Sequence, residues 1–98
     1  MALDIIWSPR ALDNFRDVII YLDENWTEQV KRDFVKRTEK ILDLIAEHPH
    51  MFRQVSETTS VREAVITKHN LLIYKIQKNQ ILVLAVFDTR QHPKRKSI

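Results

Sequence analysis

The sequence predicts a two-layer α+β fold in the order strand, helix, helix, strand, strand, strand, with a helical hairpin covering one face of a mostly antiparallel sheet. Three observations predict it. Segments 9–22 and 28–48 repeat apolar residues at helical spacing. Segments 60–66, 71–77 and 81–88 are short, rich in Val, Ile, Leu, Tyr and Phe, and separated by polar turns. With 98 residues, 44% of them apolar, the chain supplies one core and not two, so residues 1–98 are read as a single domain.

The apolar run Leu3 to Trp7 is too short for a helix and stops at Ser8-Pro9, so it is the first strand. Ser8 is placed to cap the helix that follows, and Pro9 at its first position sacrifices no hydrogen bond, because that N–H would be unpaired anyway. Ala11, Leu12, Phe15, Val18, Ile19 and Leu22 then form the buried stripe, with Arg10, Asp13, Asn14, Arg16 and Asp17 opposite. Residues 23–27 break the pattern. Thr27 caps a second helix, and Glu28 suits the positive end of its dipole. Val30, Phe34, Val35, Ile41, Leu42, Leu44 and Ile45 make its apolar face, and Pro49 disfavours helical geometry at His48. So short a connection makes the two helices an antiparallel hairpin.

Residues 50–59 have no period and read as a loop. The three strands after it form a meander through turns at 67–70 and 78–80. Ile81 to Phe87 is apolar at every position, which predicts a strand covered on both faces inside the sheet, with the first strand joining at an edge. The chain ends in a basic tail over about 92–98.

Composition removes several function classes. Without cysteine there is no disulfide framework, thiolate metal site or cysteine nucleophile. Without glycine there is no phosphate-cradling loop of the P-loop or dinucleotide-binding kind. His48, His50, His69 and His92 lack the spacing of a metal site, so no metal and no cofactor is expected. The start of the chain lacks the pattern of a secretory signal, which points to the cytoplasm. Charge is unevenly placed. Residues 1–50 hold seven Lys/Arg against ten Asp/Glu, and residues 51–98 hold nine against three. The later surface is therefore the one that favours an anionic partner, nucleic acid or an acidic protein segment.

Trp7-Ser8-Pro9-Arg10-Ala11, the helix end Ile45-Ala46-Glu47-His48-Pro49, Val61-Arg62-Glu63, Leu72-Ile73-Tyr74 and Phe87-Asp88-Thr89-Arg90 occur in an order and spacing that extend over nearly the whole chain. Together they resemble the RelE/ParE family of toxins. The resemblance implies a growth inhibitor of a bacterial type II toxin-antitoxin system, often tied to plasmid stabilisation and neutralised by a cognate antitoxin with an acidic or amphipathic segment. It also implies one of two targets: mRNA on the ribosome, cut by RelE-like and YoeB-like members, or DNA gyrase, poisoned by ParE-like members.

By that resemblance Arg62 and Arg90 match basic residues of the nuclease branch, and His92 matches the C-terminal histidine of YoeB-like nucleases. Ala64 and Leu71 do not match, because they stand where that branch carries cations. Two missing cations weaken a site that must stabilise a phosphorane-like transition state. The ParE-like reading is therefore preferred. The alternatives are a ribosome-dependent endoribonuclease using Arg62, Arg90 and His92, and a degenerate, non-toxic antitoxin-binding member. Whether the chain is an enzyme stays open at this point. Asp88 shares a strand face with Arg90 and is placed to orient it, Tyr74 is expected in the core with its hydroxyl bonded, and Lys94, Arg95 and Lys96 are placed to contact a target or a phosphate backbone. Arg62 and Arg90 are both expected on the face of the sheet left open by the helices, or, for Arg62, in an ion pair with Glu63.

Overall fold

The computed structural model describes residues 2–90. Strand β1 (Asp4–Trp7) leads into helices α1 (Pro9–Asn25) and α2 (Glu28–Glu47), followed by β2 (Arg53–Gln54), β3 (Val61–Thr67), β4 (Asn70–Gln77) and β5 (Gln80–Asp88). The sheet runs β1-β5-β4-β3-β2. β1 lies parallel to β5, with Asp4 opposite Gln80 and Trp7 opposite Val83, while every other pair is antiparallel. The sheet thus has five strands. β2 falls inside the segment expected to be all loop, and its two residues pair with Arg62 and Glu63 of β3. A two-residue strand carries no periodicity of its own, so only its neighbour defines it.

Both helix starts form as their residues dictate. Ser8 Oγ accepts from the Ala11 amide at 3.0 Å, and Thr27 Oγ1 accepts from the Val30 amide at 3.2 Å. Ser8 does more than cap. Its hydroxyl donates to the Leu84 carbonyl at 3.2 Å and its amide to the Val83 carbonyl at 3.0 Å. The pairing of β4 with β5 shifts register between Ile73 and Tyr74, from Ala85 to Val83, which leaves Leu84 as the extra residue of a bulge. Asn14, expected on the solvent side of α1, turns to the sheet, where its Oδ1 accepts from the Val86 amide at 3.1 Å. Ser8 and Asn14 therefore satisfy backbone groups of β5 past the point where β1 ends opposite Val83.

Between helices and sheet lies a core of Ala11, Val18, Leu22, Phe34, Ile45, Ala64, Ile66, Leu72, Tyr74, Ile81, Val83 and Val86. Trp7 meets Phe15 edge-on at 5.4 Å, and Phe15 stacks on Phe34 at 5.4 Å, so three aromatic rings join β1, α1 and α2. The β4–β5 turn is made by Lys78 and Asn79 alone, both at positive φ (51° and 63°). Two consecutive left-handed residues are what a tight hairpin requires, and here they are supplied without glycine.

Candidate functional site

Strand alternation assigns each side chain to a face. Ala64 and Ile66 are buried against the helices, and Arg62, two residues before Ala64, projects to that same side. Its partner across the ladder is Tyr74, also on the helix side and fully buried. Arg62 Nη1 donates to the carbonyls of Phe52 at 2.6 Å and His50 at 3.2 Å. The Tyr74 hydroxyl donates to the Pro49 carbonyl at 2.7 Å. Together they fasten the chain leaving α2 to the start of β3. Burial raises the Tyr74 hydroxyl to about 12, with the Arg62 charge offsetting part of the rise. Arg62 does not pair with Glu63 as expected. Glu63 points to the opposite face, where Arg53 Nε reaches it at 2.9 Å.

Arg90 sits at the other end of the strands. Thr67 pairs with Asn70 and Asn70 with Asp88, so the end of β5 is level with the end of β3. From Arg62 to that level is five residues of strand, roughly 16 Å at about 3.3 Å per residue. The Asp88 carboxylate, buried on the helix side, is surrounded by donors: Asn70 Nδ2 at 2.7 Å, the Arg90 amide at 2.8 Å, Arg90 Nε at 3.2 Å and Arg90 Nη2 at 2.9 Å. Thr67 Oγ1 donates in turn to Asn70 Oδ1. Burial would raise the Asp88 carboxyl, but the hydrogen bonds from Arg90 and Asn70 and the Arg90 charge outweigh it and hold the group below its ordinary value. The guanidinium also lies over the Trp26 ring at 5.0 Å, and the Tyr21 hydroxyl donates to the Arg90 carbonyl at 3.5 Å. Arg90 is thus oriented by Asp88, in a turn just past the end of β5 and not by a shared strand face.

Beside it opens a cleft of about 410 Å³ between α2 and the β3–β4 turn, lined by Val30, Asp33, Phe34, Arg37, Thr67, Lys68, His69, Asn70 and Arg90. The Arg37 and Lys68 side chains have no hydrogen-bond or ion-pair partner among the described residues.

The sheet face away from the helices is not the basic surface expected. It carries Ile6, Leu71, Ile73, Leu82, Ala85, Phe87 and Val65, and Ile6, Val65 and Phe87 are exposed. Its charges include Asp4, Lys75, the Arg53–Glu63 pair and Arg10, whose guanidinium lies 5.9 Å from the Phe87 ring centre. The expectation that Arg62 and Arg90 stand together on this open face is corrected: both are on the helix side, at opposite ends of the sheet. The period of β3 holds the signal for Arg62, since Arg62, Ala64 and Ile66 alternate and the last two are core residues. His92, Lys94, Arg95 and Lys96 lie outside the described residues. Thr67, Asn70, Arg37 and Lys68 were not singled out by the sequence; their meeting at Arg90 depends on how α2 packs on the β3–β4 turn. Among the described residues no group of three His, Asp or Glu is placed to hold a metal ion, and no helix is long and apolar enough to cross a membrane.

A helical hairpin on a five-stranded sheet of this order defines a fold class shared with known toxins. The toxin chain of the chromosomal ParDE system of P. aeruginosa superposes with TM-score 0.73 at 10% identity, over 89% of this chain and 96% of that one. A mutant of E. coli RelE in the free state gives 0.64 at 16%, over 100% and 99%, and the YoeB-YefM complex from Staphylococcus aureus gives 0.62 at 19%, over 89% and 97%. At such identities the likeness is one of fold. No curated protein matches the chain by sequence. The sequence model of the ParE toxins of type II toxin-antitoxin systems, however, matches residues 5–93, and the chain belongs to that family.

Proposed function

We propose that this chain is a growth-inhibiting toxin that acts by binding DNA gyrase and not by cutting RNA, and that a cognate antitoxin neutralises it in the cytoplasm. The separation of Arg62 from Arg90 carries the reading. Cleavage at a ribose 2′-OH needs a proton acceptor, a proton donor and a cation within a few ångströms of one phosphate. Here Arg62 is committed to two backbone carbonyls, and the Tyr74 hydroxyl is buried, bonded and protonated at any physiological pH. Ala64 is in the core and Leu71 brings no charge to the open face.

An antitoxin partner is supported by the relatives solved as ParDE and YoeB-YefM systems. The apolar open face offers it a surface of the kind that amphipathic segments cover when they fold on contact. Brief induction followed by mapping of transcript 5′ ends, in parallel with a gyrase supercoiling assay, tests the target. The expected outcome is DNA-damage signalling and lost supercoiling with transcripts intact. Cuts at codons in the ribosomal A site, abolished by Arg90→Ala with His92→Ala in a chain that still folds, would replace this reading with the nuclease one. The antitoxin is tested by co-purifying the product of an adjacent reading frame and measuring the rise in melting temperature.

A further inference from the structure

The cleft beside Arg90 gathers three cationic side chains, Arg37, Lys68 and Arg90, against one carboxylate, Asp33. Its floor is a fixed relay: Thr67 orients Asn70, Asn70 and Arg90 saturate Asp88, and Asp88 with the Trp26 ring fixes the guanidinium plane. Arg90 spends Nε–H and one Nη2–H on Asp88, so the N–H groups of Nη1 and the second one of Nη2 have no acceptor among the described residues. That remaining edge is a fork of the shape that takes two oxygens of one anion. Arg90 keeps 18% of its side chain exposed and is among the residues that line the cleft. Arg37 from α2 and Lys68 from the turn line the same cleft without acidic partners among the described residues, and its one carboxylate, Asp33, already accepts from Gln29 at 2.8 Å.

We propose that this cleft binds a single carboxylate, the side chain of an Asp or Glu on a partner protein segment. Two observations favour a carboxylate over a nucleic-acid phosphate. The cleft opens onto the helical layer, and residues 1–50 carry ten acids against seven bases, so a strand bearing a phosphate at every nucleotide would run onto like charge while one carboxylate would not. The lining is also partly apolar: Val30 and Phe34 of α2 contribute to it, and the exposed Trp26 ring packs on Arg90, which suits the methylenes of an acidic side chain and an apolar neighbour in a peptide. The inference rests on the reading of this chain as a protein-bound toxin, but it concerns the site alone and is tested by binding, not by toxicity.

The test follows the Nε–Hε resonances of Arg37 and Arg90 by nitrogen-15 NMR in the full chain. Three probes are added separately: the blocked tripeptide acetyl-Leu-Glu-Leu-amide, its Gln counterpart, and the dinucleotide thymidylyl-thymidine. The Glu peptide is expected to shift both resonances saturably, at least about tenfold more tightly than the Gln peptide, as befits a charge-assisted hydrogen bond. Arg37→Gln and Lys68→Gln, both changes at the cleft rim, should each weaken it by about threefold to tenfold, with the amide spectrum showing an intact fold. Non-saturating shifts, equal binding of the Gln peptide, or undiminished binding in the double variant overturn the proposal. Tighter binding of the dinucleotide than of the Glu peptide overturns it in favour of a phosphate site. Loss of the gyrase phenotype with peptide binding intact would instead count only against the proposed target.

Discussion

Arg62 and Arg90 are the same residue type, on the same side of the same sheet, yet the two ends of the molecule use them differently. At the Arg62 end one guanidinium nitrogen serves the backbone: Nη1 holds the carbonyls of His50 and Phe52 while Tyr74 holds that of Pro49. At the Arg90 end the guanidinium is held by a carboxylate and an aromatic ring, and part of its edge is left for something else. Each arginine spends two of its five side-chain N–H donors, so what separates them is the partner and not the degree of saturation. Loop carbonyls tie one nitrogen of Arg62 to neutral backbone; a buried carboxylate grips Arg90 through two nitrogens and fixes the plane of its guanidinium.

The difference can be broken from its strong side first. Asp88→Asn removes the charge that Arg90 faces inside a buried network, and breaking such a pair costs about 3 kcal/mol, measured by chemical denaturation near neutral pH. The Asp88 carboxyl is held below its ordinary value in the folded chain, so its stabilisation is present above the unfolded-state value and is lost as pH falls through the folded one. The gap between wild type and Asp88→Asn should therefore narrow in acid. A variant as stable as the wild type would show that the relay under the cleft orients nothing.

Tyr74 gives the next largest effect, at the opposite limit of pH. Its hydroxyl ionises near 10 when unfolded and at about 12 in the fold, so the unfolded chain surrenders its proton first. Stability held below about pH 10 should then fall as pH rises towards 12, by on the order of 2 kcal/mol for this group. Tyr74→Phe should cost about 1 kcal/mol at neutral pH through the lost bond to Pro49 and flatten the alkaline decline. Parallel alkaline curves for the two proteins would contradict the assignment. Arg62→Met, which keeps the stem and deletes the two carbonyl bonds, should cost about 1.5 kcal/mol and leave peptide binding at the Arg90 cleft unchanged. A loss of binding there would mean that the two ends are coupled. The smallest effect lies away from both: Lys78→Asn should stabilise the β4–β5 hairpin by about 0.5 kcal/mol, since Asn adopts positive φ more readily than Lys, read as a small rise in melting temperature.

Most of the architecture is legible in the residues because local and global preferences agree. Ser8-Pro9 and Thr27 start helices where a cap and a compatible first residue coincide, and the uniform run 81–87 lies inside the sheet between β1 and β4, although the helices cover only one of its faces and Phe87 is exposed on the other. What escaped notice depends on distant partners. β2 exists only through β3. Asn14 looks like a solvent residue until β5, running on past the end of β1, presents the Val86 amide to it. The candidate site was half legible: Asp88, two residues before Arg90, is within reach of it through a turn past the end of β5, and the period of β3, followed through Ala64 and Ile66, would have put Arg62 on the helix side. The meeting of Arg37 with Lys68 and Arg90 could not be read, because it joins α2 to a turn some thirty residues later in the chain and depends on the register of their packing.

The parallel pairing of β1 with β5 sets the order of events during synthesis. Asp4 finds its neighbour only at Gln80, and Trp7 only at Val83, so the opening segment leaves the ribosome long before the strand that shelters it has been made. Until then Ile5, Ile6 and Trp7 are a sticky leader with no dock, and the helical pair has an unfinished floor beneath it. Assembly of the sheet is therefore held back until residues 80–83 have been made, and a chain cut short before residue 80 would have its first strand without its place in the sheet.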